Sequence, residues 1–132
     1  MFKRLDHVAI VVAETEAALR IWRDKFGLPV LFTEVVNGGT VQLTHLDLGN
    51  THLQLVEPLT AEHPLTAWLV AHGPGLHHLC FGVDDVSEAG LALPAHDLAP
   101  GEPQSHQGIQ GQRALFLDRN WTDNVQVELT GR

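Results

Sequence analysis

Apolar and polar positions alternate over residues 5–12, with His7, Ala9 and Val11 facing one way and Val8, Ile10 and Val12 the other. That is the period of a β-strand. The next stretch, AETEAALRIWRDKFG, changes period: Ala18, Leu19, Ile21, Trp22 and Phe26 form a helical stripe that Gly27 ends. Strand-like runs return at residues 29–36 and 40–48, and the Gly49–Asn50 turn leads into a run at 51–57 that Pro58 closes. This half therefore reads β-α-β-β-β. A short connecting helix is expected over EHPLTAWLVAHGPG, with Pro64 in its first turn. The pattern then restarts, with a strand at 76–83 and an aspartate-capped helix at 84–93 that Pro94 cuts short. A loop-rich stretch to Gly111 holds one short strand, and residues 112–117 and 124–130 give the last two.

The restart is a repeat. An offset of 71 superposes LDHVAIVV on LHHLCFGV, bringing His7 onto His78, and the closing strands LQLVE and VELTG also correspond. Four side chains break the apolar pattern at matching places: His7 and Gln54 in the first copy, His78 and Glu128 in the second. A polar group in an apolar strand is costly without a partner, so equivalent placement in two copies points to one shared purpose. Small neighbours, Ala9 beside His7 and Cys80 and Gly82 beside His78, leave room for a cavity. Two imidazoles, a carboxylate and an amide oxygen make a mixed nitrogen–oxygen donor set suited to Zn, Co, Ni, Mn or Fe as a divalent ion. His52 shares the face of Gln54 and reads as a rim residue. His77 points the other way and reads as packing or surface. His45, His63, His72, His96 and His106 fall outside the pattern and read as surface positions.

Composition narrows the partners. With 132 residues and one repeat the chain is expected to be a single domain, with module one at about 1–60, the connecting helix at about 62–73 and module two at about 75–132. Lys and Arg total 8 against 16 Asp and Glu, a net charge of −8, which argues against nucleic acid and anionic membranes as partners. One cysteine, Cys80, excludes an internal disulfide. Without a signal-like segment or a long apolar run, a cytoplasmic location is expected.

The segments LDHVAIVV, LGNTHLQLVEPL, GPGLHHLCFGVDDV and VQVEL resemble the vicinal oxygen chelate superfamily (glyoxalase I, extradiol dioxygenases, antibiotic-resistance proteins), and methylmalonyl-CoA epimerases in particular. The resemblance implies an α+β fold of two βαβββ modules, forming an open cup-shaped sheet around a metal site, in a chain that dimerises. It also implies that His7, Gln54, His78 and Glu128 are the ligands of a divalent ion. The implied activity is that of an isomerase transferring a proton next to a carbonyl through a metal-bound enolate, with Glu128 as ligand and base. A second base is expected on the strand GTVQLTHL, aligned with Gln42, an amide that cannot serve as one; Glu34 is the substitute candidate. Gln42 and Arg113, in the loop HQGIQGQRALF, are the candidate substrate-binding residues, and DRN (Asp118–Asn120) stands where such epimerases tend to carry HPK. The substrate class is an acyl-CoA or a thiol adduct. The alternatives, in order, are a glyoxalase I-like lyase, a two-histidine, one-carboxylate dioxygenase and a non-catalytic small-molecule-binding resistance protein.

Overall fold

The computed structural model describes all of residues 1–132. The chain divides into two compact units, His7–His77 and a second that joins Met1–Asp6 to His78–Arg132. The first six residues thus group with the second module rather than the first. Lys3 N–H donates to the Gly82 carbonyl at 2.8 Å, and the Phe2 ring lies 5.8 Å from that of Phe81.

The first unit is built from β1 (Arg4–Val11), α1 (Thr15–Leu19), β2 (Val30–Val36), β3 (Val41–Asp47), β4 (His52–Pro58) and α2 (Pro64–His72). Its strands lie in the order β2-β3-β4-β1, with β1 and β4 parallel and the other pairs antiparallel. The alternating pattern sorts the side chains. Ile10, Val12, Leu46, Leu53 and Leu55 pack with Ala18 and Leu19 of α1 on one face, where full burial of a leucine contributes about 2 kcal/mol. His7, Ala9 and Gln54 occupy the other face. The start of α1 is pinned through Thr15, whose N–H and Oγ1 both donate to Glu57 Oε1, at 2.8 and 2.7 Å. The expected helical stripe holds only in part. After Leu19 the helix widens into π turns over Arg20–Lys25, which rotates Ile21 and Phe26 outward, Phe26 to 63% exposure.

The second unit repeats the plan with β5 (Gly75–Gly82), α3 (Val86–Ala92), β6 (His106–Gln107), β7 (Arg113–Phe116) and β8 (Val127–Gly131), in the order β5-β8-β7-β6. The cap of α3 is Asp85, whose Oδ1 accepts from Glu88 N–H at 2.9 Å. Val83, Val86, Ala89, Leu93, Leu115, Val127 and Leu129 form its core on the helix face. β8 starts later than its apolar pattern implied, because Asp123 and Asn124 adopt φ of 53° and 67°, a turn that no strand contains. The α+β reading with two βαβββ modules is therefore correct. No helix is long and apolar enough to cross a membrane.

Gly131 is where β8 comes too close for a side chain to Val83, the residue just after β5: a Cβ there would lie 2.2 Å from the Val83 carbonyl oxygen. Because the obstacle is backbone, Gly131→Ala is expected to destabilise the protein by about 2 kcal/mol or more. A chemical-denaturation midpoint equal to that of wild type would show that the strands part freely.

Candidate active site

In the first unit, the register of the parallel β1–β4 pair sets Ala9 opposite Gln54, so the histidine two residues before the register partner shares its face. In the second, β5–β8 sets Cys80 opposite Glu128, and the histidine two residues before Cys80 is His78. The two units therefore place an imidazole and an oxygen donor identically, on the sheet face turned away from the helix. All four side chains are buried.

Within the second unit, His78 Nε2 lies 3.3 Å from Glu128 Oε1. These atoms are close enough to chelate one cation, and a buried carboxylate facing an imidazole is the kind of pair a cation stabilises. The other carboxylate oxygen, Oε2, lies 3.4 Å from His106 Nε2, and His106 Nδ1 is 3.0 Å from both oxygens of Glu102. Glu102 is itself fixed, its Oε2 accepting from Phe116 N–H at 2.7 Å. The Phe116 ring stacks on His106 and meets His78 edge-on, both at 5.4 Å. Burial pulls the pKa of His106 down, but its hydrogen bond to Glu128 and the nearby Glu102 charge outweigh this and leave it raised. Burial, reinforced by the Glu128 charge, pushes the Cys80 thiol far up, so Cys80 packs as a neutral thiol and not as a nucleophile.

The first unit surrounds Gln54 in the same fashion. Gln54 Nε2 lies 2.9 Å from His45 Nε2, and His45 Nδ1 lies 2.9 Å from His52 Nδ1. The His45 ring stacks on Phe32 at 4.7 Å and meets the His7 ring edge-on at 5.1 Å.

Several sequence expectations change here. His45 is fully buried rather than at the surface, because it is the antiparallel register partner of Gln54 and shares its face. His106 is half-buried against Glu128 rather than at the surface, on a β6 of two residues. The signal for both was register, which a lone histidine in a short or mixed strand does not reveal. Gln42 is three residues from His45, on the helix-side face, where its Nε2 donates to Thr15 Oγ1 at 3.2 Å. Position 42 is therefore no place for a base on the site face; Leu43 is the β3 residue that points there beside His45. Arg113, one residue before Ala114, lies on the face opposite Glu128 and is held by Ser105 through its Oγ at 3.1 Å and its carbonyl oxygen. Glu34 is half-buried on the site-side face of β2, opposite Leu43. His52 bonds His45, and His77 and His72 flank Trp68 at 5.2 and 4.8 Å. His63 caps α2 by accepting from Leu65 N–H, and burial lowers its pKa. His96 is exposed as expected. A cleft of about 430 Å³ in the second unit is lined by Phe116, Asp118, Arg119, Asn120 and Gln126, so Arg119 is the cation at the segment DRN.

The glyoxalase/bleomycin resistance protein/dioxygenase superfamily profile matches residues 6–116. The ethylmalonyl-CoA/methylmalonyl-CoA epimerase of Cereibacter sphaeroides is 33% identical, over 98% of both chains. The uncharacterized protein YqjC of Bacillus subtilis is also 33% identical, over 96% of this chain and 90% of its own. Among solved structures, a Streptomyces coelicolor methylmalonyl-CoA epimerase variant in complex with 2-nitronate-propionyl-CoA superposes with a TM-score of 0.88 at 26% identity, covering 99% of this chain and 98% of the other. The epimerases among these homologues indicate an isomerase and give the lyase reading no support. The matched His and oxygen-donor positions, the two βαβββ units and these similarities agree: the chain belongs to the glyoxalase/bleomycin resistance protein/dioxygenase superfamily.

Proposed function

We propose that this protein is a metal-dependent epimerase of methylmalonyl-CoA or a closely related 2-substituted malonyl thioester. The observation that carries the reading is the identical placement of an imidazole and an oxygen donor in the two units, in a chain whose homologues include epimerases. His7, Gln54, His78 and Glu128 would together hold one divalent ion, and their donor types suit Co, Zn, Ni, Mn or Fe. When bound, such an ion withdraws electron density from the substrate's carbonyl oxygens and makes the neighbouring C–H more acidic.

The chain's own residues carry the proton. Glu128 takes the α-proton as a carboxylate, and a second acid returns a proton to the opposite side of the same carbon, so the configuration inverts with no net change in atoms. With Gln42 bonded to Thr15 on the helix side, Glu34 is the candidate carboxyl group from the first unit; Asp47 shares the site-side face, but its Oδ1 accepts from Gly49 N–H. The reading is tested by incubating the metal-loaded protein with methylmalonyl-CoA in deuterated water and following loss of the α-proton by NMR. Incorporation of one deuterium supports it. Absence of exchange with every one of the five metals overturns it.

The two acid–base assignments separate by mutation. Glu34→Gln is expected to lower inversion by about a hundredfold, whereas Gln42→Glu is expected to leave exchange unchanged and only weaken the tie to Thr15. A rise in exchange on Gln42→Glu would move the second base to that position instead.

The protein is also proposed to be a homodimer. Exposed apolar area lies on β2, an edge of its unit's sheet, at Val30, Leu31 and Val35. Light scattering should return about twice the 14.5 kDa chain mass. A 14.5 kDa particle at micromolar concentration would exclude the dimer.

A further inference from the structure

We infer that His45 and His52 form a two-histidine tether that sets which atom of the Gln54 amide is offered to the site. An amide side chain ends in an oxygen that accepts and a nitrogen that only donates, and only the oxygen can ligate a cation. Gln54 is useful as a ligand solely in the orientation that turns its NH₂ elsewhere. In this structure that nitrogen faces His45 Nε2 at 2.9 Å. Since Nε2 of Gln54 carries hydrogens, Nε2 of His45 must be the acceptor and its proton must reside on Nδ1. His45 Nδ1–H then donates to His52 Nδ1, 2.9 Å away, so the His52 proton resides on Nε2. Each link dictates the next. Both imidazoles are neutral in this chain of bonds, and each has a different tautomer.

The rest of the environment holds His45 in place for this task. It is fully buried, stacked on Phe32 at 4.7 Å and set directly opposite Gln54 in the β3–β4 register. The reverse chain is chemically possible in isolation: His45 Nε2–H would donate to the Gln54 oxygen, and His52 Nδ1–H to His45. It would turn an NH₂ group toward the face occupied by His7, where no cation can be held. The inference rests on the metal reading of Gln54, and it makes His45 a positioning residue rather than a ligand or a base.

Two measurements test it, and the first needs no metal. Long-range ¹H–¹⁵N correlation of the metal-free wild-type protein at neutral pH should show His45 protonated on Nδ1 and His52 on Nε2. The opposite tautomers would overturn the tether whatever the metal does. The second is calorimetric titration with Co²⁺. His45→Phe keeps the ring and its stacking but offers no acceptor, and should weaken Co²⁺ binding by about tenfold or more, the usual effect of removing a partner of a metal ligand. His45→Gln, which offers an oxygen acceptor, should recover most of the affinity. Equal Co²⁺ affinity in wild type and His45→Phe overturns the inference. Failure of wild type itself to bind Co²⁺ or any other divalent ion would overturn the metal reading, while the tautomer measurement still decides the orientation of Gln54.

Discussion

Glu128→Gln is expected to lower α-proton exchange by on the order of a hundredfold or more while keeping part of the metal affinity. The two effects separate because the carboxylate has two jobs. As a donor it needs only an oxygen lone pair, and an amide oxygen supplies that. As a base it must accept a proton at a pH where the amide cannot. Its surroundings sharpen the prediction, since one oxygen faces His78 at 3.3 Å and the other faces His106 at 3.4 Å. A glutamine in that place still satisfies an imidazole lone pair with its NH₂, so folding should survive. The checks are deuterium incorporation into methylmalonyl-CoA and metal content measured on the same sample. Exchange within a factor of three of wild type, with metal bound, would remove Glu128 from the proton-transfer step.

Removing one imidazole from each unit gives the other large effect. His7→Ala and His78→Ala are each expected to reduce metal affinity by about a hundredfold or more and to abolish exchange with it. Loss of an imidazole ligand removes a bond outright, whereas loss of a partner behind a ligand costs about ten- to a hundredfold. The symmetry of the prediction is its strength. The histidines occupy the same register position in their units, so a shared role requires a shared loss. Each variant removes a buried imidazole, which carries a stability cost of its own, so circular dichroism of the metal-free variants must show the wild-type fold for the loss to be read as loss of a ligand.

The fold was legible because periodicity and register carry it. Alternation over residues 5–12 and its echo 71 residues later were enough to find both βαβββ units and the His and oxygen-donor pairs. The helix face and the site face then follow from counting by twos. What sequence alone concealed depends on pairing between strands. Gln42 and His45 both sit on β3, and only the register with β4 shows that His45 shares the face of Gln54 while Gln42 does not. Gln42 stands one residue away from Leu43, the site-side position of β3, and one residue reverses the face. His106 was hidden for a different reason: its strand is two residues long, too short for any period to appear. Ile21 and Phe26 are exposed because the π turns over Arg20–Lys25 do not keep the 3.6-residue period on which a helical stripe depends.

The central claim is that His7, Gln54, His78 and Glu128 serve one divalent ion, and metal analysis of protein purified without a histidine tag tests it most directly. After loading with Co²⁺ and exhaustive dialysis, wild type should retain about one ion per chain, and His7→Ala and His78→Ala should each retain less than about a tenth of that. Full cobalt retention by either variant, or none by wild type, would contradict the account.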